Sequence, residues 1–96
     1  SSFYFVGNDV IPAFQVDLLI DRNDGVINLC EMKYYASGYV LTKKDVEALK
    51  TKAANFQILT KTKKRVVCTL ITTHKLKPGM YQYEIDESLC LEDVFG

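Results

Sequence analysis

Ninety-six residues carrying twelve Lys and Arg against twelve Asp and Glu give a chain of zero formal charge, long enough for one hydrophobic core and too short for a second independent module. A content of 48% hydrophobic and 25% charged residues is ordinary for a globular α/β domain, and no apolar run approaches the ~20 residues of a membrane-spanning helix. Three cysteines without a CxxC pair and one histidine argue against a disulfide framework or a zinc cage, and for buried thiols at Cys30, Cys68 and Cys90.

Residues 1–6 lack the basic start and long apolar stretch of a signal peptide, so a cytoplasmic location is expected. Residues 3–6 are β-prone and end at the turn cluster Gly7-Asn8-Asp9, which suits an edge strand. Residues 15–22 alternate, with Val16, Leu18 and Ile20 on one side and Asp17, Leu19 and Asp21 on the other, the period of a strand. Residues 26–35 continue as a second strand after Asn23-Asp24-Gly25, a turn whose glycine can take positive φ.

The period then changes. Val46, Leu49, Ala53 and Phe56 recur at three- and four-residue steps, predicting an amphipathic helix over 43–60. Thr42 is placed to cap it, and Asp45 brings a carboxylate to the first turn, where the helix dipole favours negative charge. A basic turn at 61–65 leads into residues 66–72, a continuous β-branched and apolar run that belongs in the centre of a sheet. Pro78-Gly79 breaks the chain, a short strand is expected at 80–85, and residues 89–95 offer apolar side chains to dock the terminus. Charge is uneven along this path. Residues 43–65 hold eight basic side chains against Asp45 and Glu47, whereas the tail from Tyr83 holds five acidic residues and none that is basic. Such runs are solvated faces, or a basic surface for a polyanion.

The turn decides which polar side chains meet, because a one-residue slip of a hairpin sends each to the opposite face. A two-residue Asp24-Gly25 loop would separate Asp17 from Glu31. A three-residue Asn23-Asp24-Gly25 loop, a type I turn closed by a left-handed glycine, pairs Arg22 with Val26 and hence Asp17 with Glu31. Gln15 then lies opposite Lys33, and Gln15, Asp17, Glu31 and Lys33 make a polar patch at one end of two otherwise apolar strands. Opposed carboxylates repel, and a divalent cation would relieve the repulsion. Mg²⁺ suits two carboxylates, a backbone carbonyl and a phosphate oxygen. Lys33 could then orient water and stabilise charge on a phosphate. A plain ion pair from Lys33 to Glu31 or Asp17 accounts for the same spacing without a metal.

Asp17, thirteen residues, then Glu31-Met32-Lys33 resembles the D-Xn-(D/E)-X-K signature of the PD-(D/E)XK nucleases, with Val16 in place of the signature proline. Residues 15–22 and 27–33 are similar to the C-terminal nuclease-like domain of bacterial AAA-type ATP-binding proteins, and the likeness extends from Phe14 through Ile71-Thr72-Thr73 to the closing Leu91-Glu92-Asp93-Val94-Phe95. The resemblance implies a restriction-endonuclease-like core: a central mixed β-sheet with a flanking amphipathic helix, lacking the family's N-terminal helix. It further implies a C-terminal piece of a longer ATPase-containing protein, spanning residues 1–96 as one nuclease-like domain. By the same likeness Asp17, Glu31 and the Met32 backbone carbonyl would hold Mg²⁺ or Mn²⁺ and Lys33 would be the catalytic lysine. Gln15, Lys43, Lys44 and Lys50 are candidate nucleic-acid contacts.

Two functions follow as expectations: a metal-dependent nuclease acting on DNA, or a catalytically silent nucleic-acid- or protein-binding appendage of an AAA-type ATPase. A homodimer of the domain is a further expected assembly. Asp21 and the lone His74 are read as structural or solvated. Tyr34, Tyr35 and Tyr39 are read as core cover more than base-stacking platforms, and Lys52 shares the helix with the other candidate lysines.

Overall fold

The computed structural model describes residues 3–95, apart from the side chain of Phe95. Its strands are β1 (Phe3–Phe5), β2 (Phe14–Val16), β3 (Leu18–Asp21), β4 (Val26–Lys33), β5 (Arg65–Thr72) and β6 (Glu87–Cys90), and its helices are α1 (Lys43–Thr60) and α2 (Leu91–Phe95). A four-stranded mixed sheet runs in the order β3-β4-β5-β6, with β3 antiparallel to β4 and the other two pairs parallel. A parallel pair cannot be joined by a tight turn, and α1 is the crossover between β4 and β5. No described helix is long and apolar enough to cross a membrane.

The β3-β4 turn is the three-residue form. The Arg22 amide donates to the Val26 carbonyl at 2.9 Å, Gly25 lies at φ +80°, and the pairing continues through Ile20 with Asn28 to Leu18 with Cys30. Register then sorts the residues by face. Leu19, Ile27, Leu29, Glu31 and Lys33 share a face with Val66, Cys68, Leu70 and Thr72 of β5, and α1 lies on that face. Ile20, Met32 and Leu89 are exposed on the other, where buried Asn28 donates to Thr69 Oγ1 at 3.0 Å.

α1 has the bounds its local chemistry dictates. Thr42 Oγ1 accepts from the Asp45 amide at 3.1 Å while the Asp45 carboxylate accepts from the Thr42 amide at 2.9 Å, a reciprocal capping box. The far end closes at Lys61, in the left-handed region at φ 56°, whose amide donates to the Gln57 carbonyl. From the helix stripe, Phe56 packs with Val16, Ile27 and Leu29, and Val46 and Leu49 pack with Leu41, Leu70 and Ile85. Fully burying side chains such as Leu29 and Leu70 contributes about 1.5–3 kcal/mol each, which anchors the helix to the middle of the sheet.

Two elements differ from expectation. Residues 15 and 16 do not extend β3: the chain bends at Asp17, and β2 pairs antiparallel with β1, Gln15 against Tyr4. Phe5 and Phe14 stack on each other at 5.1 Å and Phe5 meets Phe56 edge-on, so β1 and β2 gain apolar burial by leaving the main sheet. Gln15 is therefore not the cross-strand partner of Lys33. Residues 80–85 form no strand either. Gln82–Glu84 is a single 3₁₀ turn, Ile85 enters the core, and Asp86 accepts from the Cys68 amide at 2.9 Å just before β6 begins. The strand at the β5-side edge of the sheet is thus Glu87–Cys90, and the expected docking of Phe95 concerns a side chain outside those described.

Nothing lies near a Cβ built on Gly25, so Gly25→Ala tests the backbone of the turn alone. We expect a loss of about 1 kcal/mol in urea unfolding, with a smaller loss for Gly25→Asn. Equal stability of Gly25→Ala and wild type would refute the left-handed turn.

Candidate functional site

The strand break at Asp17 shapes the site. The β3-β4 register, extended, sets Asp17 against Glu31 and Val16 against Met32. Because Val16 turns away with β2, the Met32 amide loses that strand as a partner, and Asp17 Oδ2 accepts from it at 2.9 Å. A side-chain carboxylate thereby replaces a backbone carbonyl in the ladder. In an antiparallel pair the N–H and C=O of one residue point to the same neighbouring strand, so the Met32 carbonyl also faces the Asp17 side.

Glu31 faces α1 instead and is buried, at 8% exposure. Lys52 donates to both of its carboxylate oxygens at 3.0 Å, and Lys33 Nζ lies 3.7 Å from Oε2. Lys52 follows Leu49 by three residues and precedes Phe56 by four, so the packed stripe of the helix holds its backbone over Glu31. Breaking such a pair, half-buried on the lysine side, costs more than the roughly 0–1 kcal/mol of an exposed ion pair and less than the about 3–5 kcal/mol lost on breaking a fully buried one.

These contacts change how the two carboxylates coexist. Asp17 is satisfied by a backbone amide and Glu31 by two ammonium groups, so their mutual repulsion is answered by the chain's own residues. The donors are all oxygen, the kind a hard divalent cation takes: the Asp17 carboxylate and the Met32 carbonyl on the strand side, and the Glu31 carboxylate on the helix side, where Lys52 holds it. Among the described residues no cluster of three His, Cys, Asp or Glu is assembled.

Glu31 and Lys33 line a cavity of about 170 Å³ with Tyr35, Lys44, Asp45 and Leu49. Of the helix lysines proposed as nucleic-acid contacts, Lys44 therefore opens onto the site. Lys43 and Lys50 line a separate recess with Tyr81 and Glu84, where Lys43 pairs with Glu47 and Lys50 with Glu84. Tyr35 and Tyr39 stack on one another with ring centroids 3.9 Å apart and pack against the core, whereas Tyr34 is exposed. Burial first, then the charge of Asp45, pushes the Tyr35 hydroxyl up to about 12, so it stays protonated at neutral pH. Asp21 pairs with Lys64, and His74 lies 3.5 Å from Glu92 near the C-terminus; neither reaches Glu31. Cys30 and Cys68 are buried and Cys90 partly so, all three unbridged, and burial pushes the Cys68 thiol up to about 11.

Lys52, one of several lysines on the predicted helix, is the one that meets Glu31. Its signal was present: a charge flanking the apolar stripe at Leu49 and Ala53, on the helix that must cover Glu31. The basic turn at Lys61, Lys63, Lys64 and Arg65 is far from this site. Arg65 pairs with Val26 and Thr72 with Lys33, seven strand steps of about 3.3 Å, or about 23 Å apart. No family model, no curated protein and no solved structure matches this chain.

Asp45 gives the site rim a pH dependence. Burial raises its carboxyl, but the Tyr39 hydroxyl at 2.6 Å and the Thr42 amide outweigh this and hold it below the ordinary carboxylate value. A group depressed on folding adds stability above its unfolded value, about 4. That contribution is lost as pH falls through the folded value. Asp45→Asn should flatten the acid limb of stability against pH below about 4. Parallel limbs in wild type and variant, followed by urea midpoints, would contradict the assignment.

Proposed function

We propose that this chain is a nuclease-like domain of the PD-(D/E)XK type, hydrolysing phosphodiester bonds in nucleic acid with a divalent cation. The observation that carries the reading is the Asp17 carboxylate on the Met32 amide, set by register against Glu31, with Lys33 on the Glu31 face. An antiparallel hairpin, a covering helix and a parallel strand follow in the order that the resemblance implies, which supports a restriction-endonuclease-like core as the finer description of the fold.

Asp17, Glu31 and the Met32 carbonyl would hold Mg²⁺ or Mn²⁺, which when bound supplies an activated water and charge stabilisation at phosphate. The chain's own residues do the rest. Lys33, at 43% side-chain exposure, reaches the site from the solvent side and can orient water and meet charge developing on a phosphate oxygen. Lys44 lines a cavity with Glu31 and Lys33 and can position the backbone of the nucleic acid. A fused ATPase and a homodimer belong to this reading by resemblance alone.

A second reading, a silent nucleic-acid-binding appendage, draws on a different observation: both Glu31 oxygens are engaged by Lys52. The about 23 Å between the ends of the sheet separates the two readings experimentally. For the nuclease, labelled DNA is cut in Mg²⁺ or Mn²⁺, Lys33→Ala slows cutting about 10²–10³-fold, and Asp17→Ala/Glu31→Ala loses both cutting and calorimetric metal binding. For the appendage, DNA is bound without being cut. Its binding survives changes at Asp17, Glu31 and Lys33, and is lost on neutralising Lys61, Lys63, Lys64 and Arg65.

A further inference from the structure

We propose that Lys52 is a resident counter-ion on Glu31, standing where a divalent cation would bind, so that metal enters only as Lys52 leaves. The inference rests on the metal-dependent reading above and adds to it a specific competitor supplied by the chain.

A metal-ligating glutamate must offer free lone pairs on its oxygens, and here one ammonium group donates to both oxygens at 3.0 Å. Asp17, the other acidic ligand, is committed to the Met32 amide through Oδ2 and is not paired with a lysine by any contact described. The obstacle to a cation therefore lies on the Glu31 side. Lys33 contributes less, being farther away at 3.7 Å and more exposed.

The helix need not move for Lys52 to leave Glu31. The helix backbone beneath it is held by Leu49 and Phe56 in the core, but its own side chain is 26% exposed, and an ammonium on a four-carbon stem has many rotamers open to it. A cation arriving from the cavity can displace it toward solvent without unpacking the helix. Once displaced, Lys52 stands beside Lys33 and Lys44 as a further positive group for the phosphate of a bound strand.

The quantitative consequence follows from population. If Glu31 is free of Lys52 only a fraction of the time, the apparent metal affinity is the intrinsic affinity reduced by that fraction. A pair closed for nine-tenths to ninety-nine hundredths of the time would weaken metal binding about ten- to a hundredfold. Arginine at this position would hold the carboxylate at least as well, because its planar fork matches both oxygens.

The test measures Mn²⁺ affinity of the 96-residue chain by calorimetry and by the loss of the free-ion paramagnetic resonance signal, in wild type, Lys52→Gln, Lys52→Arg and Glu31→Gln. Lys52→Gln should bind about ten- to a hundredfold more tightly than wild type, Lys52→Arg no more tightly than wild type, and Glu31→Gln least of all. Lys52→Met retains the methylene stem and replaces the glutamine variant if circular dichroism shows that variant unfolded. Unchanged or weaker Mn²⁺ binding in Lys52→Gln, with wild-type binding still lost in Glu31→Gln, overturns the Lys52 proposal and leaves the metal reading standing. No Mn²⁺ binding by any of the four proteins at millimolar metal overturns both.

Discussion

The register of the β3-β4 hairpin governs what this sheet can display. Side chains alternate along a strand, so one residue more or less in the turn would exchange the two faces of β4. With three residues in the turn, Ile27 and Leu29 meet α1 and carry Glu31 and Lys33 to the same side. The polar end of β4 is then a continuation of the core-facing row, and this is why a glutamate comes to lie under a helix. Placing it there is costly for a charge unless partners are supplied, and the helix supplies one in Lys52.

The second constraint is the departure of β2. Strand pairing that continued past Leu18 would have used the Val16 backbone to satisfy Met32. The aromatic cluster of Phe5, Phe14 and Phe56 draws residues 14–16 to β1 instead, and the sheet opens by one hydrogen bond at the point where Asp17 turns its carboxylate inward. The opening is thus a product of apolar packing some residues away, and it leaves the Met32 peptide and the Asp17 carboxylate at one gap, with Glu31 turned to α1. A regular hairpin with the same sequence of polar residues would close that gap with backbone hydrogen bonds.

These relations divide the structure into what local sequence determines and what it does not. α1 was legible to the residue because its limits are set by neighbours in the chain: Thr42 and Asp45 form a reciprocal cap, and the apolar stripe has helical period throughout. The turn was legible because Asn23 and Gly25 suit one loop length over another. The pairing of Gln15 with Tyr4 was not, since it depends on where two phenylalanines find a third far along the chain. Nor was the strand at Glu87–Cys90: Asp86 terminates the preceding turn by accepting the Cys68 amide, a contact between residues eighteen positions apart that no periodicity announces. Lys52 is an intermediate case. Its position beside the helix stripe was visible, but its partner depended on where the crossover laid the helix over β4.

The two ends of the sheet carry opposite chemical possibilities. At the turn end the basic residues 61–65 are adjacent to the hairpin loop, and the Arg65 amide donates to the Gly25 carbonyl. At the other end three acidic side chains, Asp17, Glu31 and Asp45, stand against three basic ones, Lys33, Lys44 and Lys52. An anion-binding surface needs excess positive charge, whereas a site that changes occupancy needs charges that can be exchanged. Balanced charge at the Glu31 end accordingly favours exchange over permanent anion binding: bringing in a dication would make an ammonium group redundant there and free it for a phosphate. Under the proposed metal-dependent reading, that coupling would give a structural reason for a lysine to be held on a buried carboxylate.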